Sequence, residues 1–371
     1  MNLNYFDCLP NVIHNQLVKT CIADDKPTVQ KHLNVWKKQQ DFDNIDHESQ
    51  KMIAFLNRQI IKFKIEDENG PRYNGIYKKS WVYNKQLVEN ALEILPLLKA
   101  QHIPFLIIKG IALSSIYYND NGIIKTYGLD IYIHEFDFPK VFDVLTNNNW
   151  KLNNSKKDIN FYISINGIIK QIGFHNNSGS FIVVHLKAFK MPYSSKSEAL
   201  FWNSFQEFEL NGLRVNSFDN TSFLFYTIIN GITEHTLQWV MDVKTILNSQ
   251  KEINWDKFID LNKSFNTASI IGLAFEYLTK ELSIEGIPSF VVEAINKESL
   301  YELNKANYNY YAKRTAISAL KWHFLYYEML RQNYKSWGEL SYLKGIYNYF
   351  KAVYSGNKIF NLLKKIVKGV K

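Results

Sequence analysis

Cysteine is scarce: Cys8 and Cys21 are the only two in 371 residues. That is too few for a disulfide framework or a cysteine-based zinc site and points to a reducing compartment. Several chemical signatures are missing as well. The chain has no Gly-x-Ser-x-Gly elbow, no Gly-rich phosphate loop ending in Gly-Lys-Ser/Thr, no His-Glu-x-x-His and no Cys-x-x-Cys. The hydrolase, P-loop, zincin and thiol-redox readings therefore have no support. No apolar run approaches the roughly 20 residues that cross a bilayer. The first residues, MNLNYFDCLPNVIHNQ, lack a basic flank followed by an apolar core, so no secretory signal is expected and the expected location is cytoplasmic.

What is present is apolar and aromatic. Hydrophobic residues make up 46% and aromatics 15%, which excludes a mainly disordered chain and can fill the cores of two or three structural units. The net charge of +9 is unevenly placed: 340–371 holds seven Lys and no acid, leaving +2 for the rest. A near-neutral body argues against an extended duplex-binding face, which needs a Lys/Arg stripe on the folded domain. The end of the chain, 357–371, sets Ile359, Phe360, Leu362, Leu363, Ile366, Val367 and Val370 against five Lys. Such a helix can make weak contact with an anionic membrane or pack its apolar side on the protein body, and packing is the favoured reading.

The organisation reads as a helical lobe over 1–83, an α+β core over 84–218 and a helical domain with a basic amphipathic tail over 219–371. Within the lobe, 47–63 has the clearest helical period, with Met52, Ile53, Leu56, Ile60, Ile61 and Phe63 opposite Lys51, Arg58 and Lys62. Gly70-Pro71 and Gly75 mark a loop over 66–77. A helix over 84–100 leads to the first strand, and Asp137 with Pro139 opens another helix. Asn166-Gly167 and Asn211-Gly212, each between apolar runs, are hairpin signals, so 160–165, 168–174 and 181–189 read as three antiparallel strands. From Asp219 onward the pattern is helical.

The stretch 104–134, PFLIIKGIALSSIYYNDNGIIKTYGLDIYIH, organises the core. An apolar run at 104–108 suits a strand buried on both faces, and Gly110 lets the chain bend closely into a helix beside Lys109. A cradle of backbone amides is expected there. After an Asn119–Gly122 turn, 129–133 alternates so that Gly128, Asp130 and Tyr132 share one face. Asp130 is thus an acid within a strand.

Here the chain resembles the bacterial uncharacterised nucleotidyltransferases of the polymerase-β-like superfamily. In that family a Lys-Gly-small-apolar elbow precedes an Arg-x-x-Gly-Asp-Ile-Asp strand and, later, an acid-apolar-His strand. The elbow corresponds to Lys109-Gly110-Ile111-Ala112-Leu113, the first strand to Gly128-Leu129-Asp130-Ile131-Tyr132-Ile133 and the later one to Val183-Val184-His185-Leu186. Farther on, Trp239-Val240-Met241-Asp242 and Asn254-Trp255-Asp256 match the family's helical domain. The resemblance spans about 87–288. It implies an α+β fold with a small mixed sheet and flanking helices, and transfer of a nucleoside monophosphate from an NTP to an unknown acceptor. It also implies Asp130 on Mg²⁺, His185 as a catalytic pocket residue, and Lys109, Gly110 and Lys125 at the nucleotide. The chain departs from the pattern at three places: Ile124 stands where the family has Arg, Gly128 where it has the first Asp, and Val183 where it has the third acid. One carboxylate cannot hold two metal ions, so a catalytically inactive relative that binds nucleotide or a partner is the alternative.

Each of these residues also has an ordinary reading. Asp130 could cap a turn, Lys109 could be solvated, and His185 could be a core histidine unless it faces Asp130. Lys187 shares the face of His185 by period two and is expected as a solvated residue at the strand end. Trp239 and Asp242 are expected to be structural. Asp120, Glu135 and Asp137 are the nearest acids that could replace the missing carboxylates, although turns and caps account for all three.

Overall fold

The sheet follows from the two apolar runs. In the computed structural model, which describes residues 9–153, 167–299, 302–313 and 316–353, β1 (Phe105–Ile108) and β2 (Leu129–Ile133) lie antiparallel and pair Ile108 with Asp130. β2 runs parallel to β5 (Phe181–His185), which sets Asp130 beside Val183 and Tyr132 beside His185. β4 (Gln171–His175) is antiparallel to β5, and the two-residue β3 (Lys151–Leu152) completes the order β1-β2-β5-β4-β3. Both middle strands carry β-branched side chains and bury most of them, as a sheet covered on both faces requires. The architecture is α+β, a small mixed sheet with flanking helices. The expected strand at 160–165 and the tail at 357–371 lie outside the described residues.

A second ribbon forms where Asn211-Gly212 predicts it. β6 (Phe205–Leu210) and β7 (Leu213–Phe218) flank a two-residue turn with φ of +46° and +82°, the left-handed pair that matches the twist of a hairpin. The ribbon attaches to the edge of the main sheet, where the Ser217 hydroxyl donates to the Ile107 carbonyl at 2.6 Å.

Before the sheet, α1 (Val12–Ile22), α2 (Lys26–Gln39) and α3 (His47–Phe63) are each capped by an Asn or Asp side chain. α3 has the bounds given by its hydrophobic period, although Ile61 is exposed. The expected loop over 66–77 is instead the start of α4 (Gly70–Leu92). Pro71 occupies its first turn, where the missing N–H costs nothing, and Gly75 is accommodated inside the helix. α4 therefore runs through the boundary expected at 83/84. The helix expected over 84–100 is interrupted before α5 (Leu95–Ala100), because Pro96 begins a new helix rather than continuing the old one.

After the sheet strands come α6 (Lys109–Leu113) and α7 (Phe138–Asn147). Asp137 precedes α7 without capping it, and its carboxylate instead accepts from Lys140 Nζ at 3.3 Å. α8 (Asn220–Thr233) is capped by Asp219 and is apolar on nearly every side. A helix hydrophobic all round must sit in the interior. Phe223, Phe225 and Tyr226 of α8 join Phe201, Phe218 and Phe265 in one aromatic core, with α9 (Trp239–Leu247), α10 (Trp255–Phe265) and α11 (Ala268–Glu276) around it. The first helices are tied to this body through Leu237 N to Glu48 Oε2 at 3.1 Å and Tyr277 OH to Asn15 Oδ1 at 2.9 Å. Among the described residues no helix is long and apolar enough to cross a membrane.

Lys187 is not solvated as expected. The strand ends at His185, so period two no longer sets its direction, and its ammonium is buried 4.9 Å from the Tyr334 ring and 5.7 Å from that of Tyr193. Nearby, Glu198 Oε1 accepts from the Tyr193 hydroxyl and from Ala188 N, while its buried Oε2 has no partner.

Burial pushes the Glu198 carboxyl up to about 8, against the weaker opposite pull of the Ala188 amide. The folded state therefore keeps a proton that the unfolded chain loses near the ordinary Glu value. Stability is lost at about 1.4 kcal/mol per pH unit as pH rises from that value towards 8, and levels off above it. Glu198→Gln should remove this slope, so the stability difference between variant and wild type in urea melts should grow in the variant's favour from pH 5 to pH 8. A difference independent of pH would show that Glu198 is charged in the fold. A Cβ at Gly128 would lie 2.9 Å from the Phe181 carbonyl oxygen and 3.0 Å from Phe181 Cβ. Gly128→Ala should cost ~1–3 kcal/mol as a lower urea midpoint with an unchanged m-value, because a strand backbone cannot yield as a flexible side chain would.

Candidate functional site

The β1–β2 register brings the elbow to the acid. Ile108 pairs with Asp130, so the next residue, Lys109, leaves the strand directly beside it. It is Lys109 rather than Gly110 that makes the bend, with φ of +61°, a left-handed conformation costing an L-residue roughly 1–2 kcal/mol. Gly110 is required for packing, since a Cβ there would lie 2.5 Å from Thr126 Cγ2. The 121–126 segment that crowds it is pinned by Asn84 of α4, whose Nδ2 donates to the Asn121 and Ile124 carbonyls at 2.7 Å each. Helix, loop and elbow thus lock one another in place.

Lys109, Gly110, Lys125, Gly128 and Asp130 line one pocket of about 320 Å³, with Phe223, Tyr226 and Trp239 as apolar walls. His185 is fully buried beneath it and faces Asp130, with Nε2 2.6 Å from Asp130 Oδ1. Burial holds the imidazole down at about 4 against the pull of Asp130. At neutral pH the ring is therefore uncharged, with its Nε2–H donating to the carboxylate and Nδ1 unpartnered.

The sequence reading missed two members of the site, Glu234 and Lys170. Glu234 follows the last residue of α8, and its Oε2 lies 3.4 Å from Lys109 Nζ, which is itself 3.9 Å from Asp130 Oδ1. One ammonium thus serves two carboxylates. Lys170, just before β4, donates to Glu234 Oε1 at 2.7 Å and to Asn230 Oδ1 at 3.1 Å. Burial alone would raise the Glu234 carboxyl, but Lys170 and Lys109 overcome this and hold it near 2. Burial lowers Lys170 while Glu234 opposes that shift. One signal in the chain was available: an acid at the C-terminal end of an apolar helix is opposed by the helix dipole and calls for a cation nearby.

Lys51 and Lys125 also line the pocket, 5.9 and 5.5 Å from the centre of the Tyr127 ring. Lys51 donates to Glu48 Oε1 at 2.6 Å and Lys125 to Gln50 Oε1 at 3.0 Å. Lys125 is lowered first by burial and then by Lys79 and Lys51, so an anion here would relieve repulsion already present. Asp242 also lines the pocket. Burial pushes it up to about 7 although it accepts from Tyr118 OH at 2.8 Å and Gln238 Nε2 at 3.2 Å.

The three acids considered as replacements do not enter this pocket. Asp120 accepts from Tyr77 OH and Gly122 N, each at 2.9 Å. Glu135 accepts from Gly167 N at 2.7 Å and Tyr334 OH at 2.8 Å, and Asp137 holds Lys140. Asp130, expected as a Mg²⁺ ligand, and Glu234 are both engaged by lysines. Among the described residues no three His, Cys, Asp or Glu side chains gather as a metal-holding group. The donor set does not fit a two-metal site: Gly128 and Val183 offer no side-chain oxygen, and the space between the two carboxylates holds the Lys109 ammonium.

Comparison with curated proteins gives no match. Among solved structures, the chain is similar to an antigenic nucleotidyltransferase-like protein from Paracoccidioides brasiliensis, with 14% identity and a TM-score of 0.32 over 58% of this chain and 92% of that one. The sequence model of a family described as uncharacterised nucleotidyltransferase matches residues 72–282, more than half of the chain, and the protein belongs to that family.

Proposed function

We propose that the protein is a nucleotide-binding member of its family, in which lysines hold the polyphosphate of an NTP and two-metal nucleotidyl transfer does not occur. The observation that carries this reading is the Lys109 ammonium between Asp130 and Glu234, 3.9 and 3.4 Å away. Two carboxylates orient it, and its side chain, one-fifth exposed, lines the pocket. Lys125 adds charge to the lining, where Lys51 is paired with Glu48. An ammonium supplies positive charge to phosphate oxygens without a coordination shell, so the role of a metal as counter-ion is met by the chain itself. Phe223, Tyr226 and Trp239 give the pocket apolar walls of the kind that nucleoside sites use. His185, uncharged and hydrogen-bonded to Asp130, acts as a positioning residue for that carboxylate.

The alternative, transfer of a nucleoside monophosphate to an acceptor, draws on Glu234, which gives the pocket a second carboxylate. Calorimetric titration with each of the four common NTPs, in Mg²⁺ and in EDTA, separates the two. Binding should persist in EDTA, weaken by about tenfold or more in Lys109→Ala through loss of a charge-assisted contact, and survive in Asp130→Asn. With α-labelled NTP and cell extract as a source of acceptors, no labelled product should form. Binding that requires Mg²⁺ and disappears in Asp130→Asn, or any labelled product lost in that variant, would establish the transferase instead. Absence of binding to every NTP would remove both readings.

A further inference from the structure

Glu234 and Gln171 line a second cavity as well, of about 710 Å³, whose wall also includes Lys170. Its character differs from the first. Ile168, Tyr310 and Val353 give it apolar and aromatic surface, and Lys190 supplies a cation. Lys170 is already neutralised by Glu234 at 2.7 Å, whereas Lys190, exposed along the cavity, has no acid partner among the described residues. The Lys190 backbone is held firmly, because its carbonyl accepts the Tyr311 hydroxyl. Tyr310 is stacked on Trp322 with ring centres 4.2 Å apart. The rigid wall and the uncompensated cation therefore belong to the same space.

We propose that this second cavity binds a small organic anion, one aromatic or branched apolar body carrying a single carboxylate-like or sulfonate-like group, with the charge on Lys190 and the body against Ile168, Tyr310 and Val353. A cavity of this size falls within the range of small-molecule sites, which combine mostly apolar walls with a few placed polar groups. A polyphosphate does not suit it, since Glu234 forms part of the wall and, among the described lining residues, Lys190 alone is a cation without an acid partner. A neutral apolar molecule lying over Lys190 would take its exposed ammonium out of water without pairing it, which is unfavourable. The inference is independent of nucleotide binding, though Glu234 and Gln171 line both cavities.

The probe is 8-anilinonaphthalene-1-sulfonate, read by fluorescence, with its uncharged relative N-phenyl-1-naphthylamine as control. We expect saturable binding of one sulfonate per chain, with the neutral relative about tenfold weaker or worse. Lys190→Ala should weaken the sulfonate by a similar factor, and Ala319→Trp, which fills the cavity from another wall, should abolish it. ATP titrations on the same variants should be unchanged, and ATP should not displace the probe. Equal affinity of the charged and neutral probes, indifference to both substitutions, or stoichiometric displacement by ATP would each overturn the proposal. Because ATP binding is read separately, loss of the nucleotide reading and loss of this one are distinguishable.

Discussion

One ammonium between two carboxylates is the constraint around which the site is built. Asp130 belongs to the sheet and Glu234 to the end of the buried helix α8, so Lys109 links the two layers of the core. Removing either acid would leave a partly buried cation short of its partner, and removing the cation would leave two acids facing each other. Both losses are costlier than the loss of an exposed ion pair. The left-handed backbone of Lys109 is sustained by the packing of Gly110 against Thr126 and by Asn84 holding the crossing loop. Strain of this kind persists where the surroundings over-determine the conformation.

The same arrangement explains how the departures from the family pattern fit together. At Gly128 the backbone of Phe181 takes the space that a side chain would need, so an acid is excluded by packing as well as absent. At Val183 an apolar side chain lies beside Asp130 in the parallel register. With those oxygens gone, Asp130 is left with a neutral imidazole and an ammonium that it shares with Glu234. Lys170 does for Glu234 what Lys109 does for Asp130, and Lys125, bonded to the uncharged Gln50, adds a further cation to the pocket lining.

Much of the local structure was legible because it depends on short-range rules. The bounds of α3 and β2 and the Asn211-Gly212 hairpin follow from hydrophobic period and left-handed turn residues. The loop expected at Gly70-Pro71 was misread because glycine and proline also begin helices, and only the packing of α4 decides between the two. Asp130, His185 and Lys109 could be named from neighbouring strands and a recognisable motif. Lys170 could not, and Glu234 only through its place at the end of an apolar helix, since each reaches the site from an element whose approach is fixed by tertiary packing. Lys187 was misplaced for a related reason: a period-two argument ends with the strand, and its burial depends on Tyr334, far along the chain.

The central claim is that Lys109 occupies the position a metal ion would take. Titration of the nucleotide-free protein with Mn²⁺, followed by the electron paramagnetic resonance of the free ion, tests it directly, with Lys109→Met and Asp130→Asn alongside. The account predicts no stoichiometric Mn²⁺ binding by the wild type and a new site in Lys109→Met, where Asp130 and Glu234 are left without their shared cation. One tightly bound Mn²⁺ in the wild type that is lost in Asp130→Asn would contradict it.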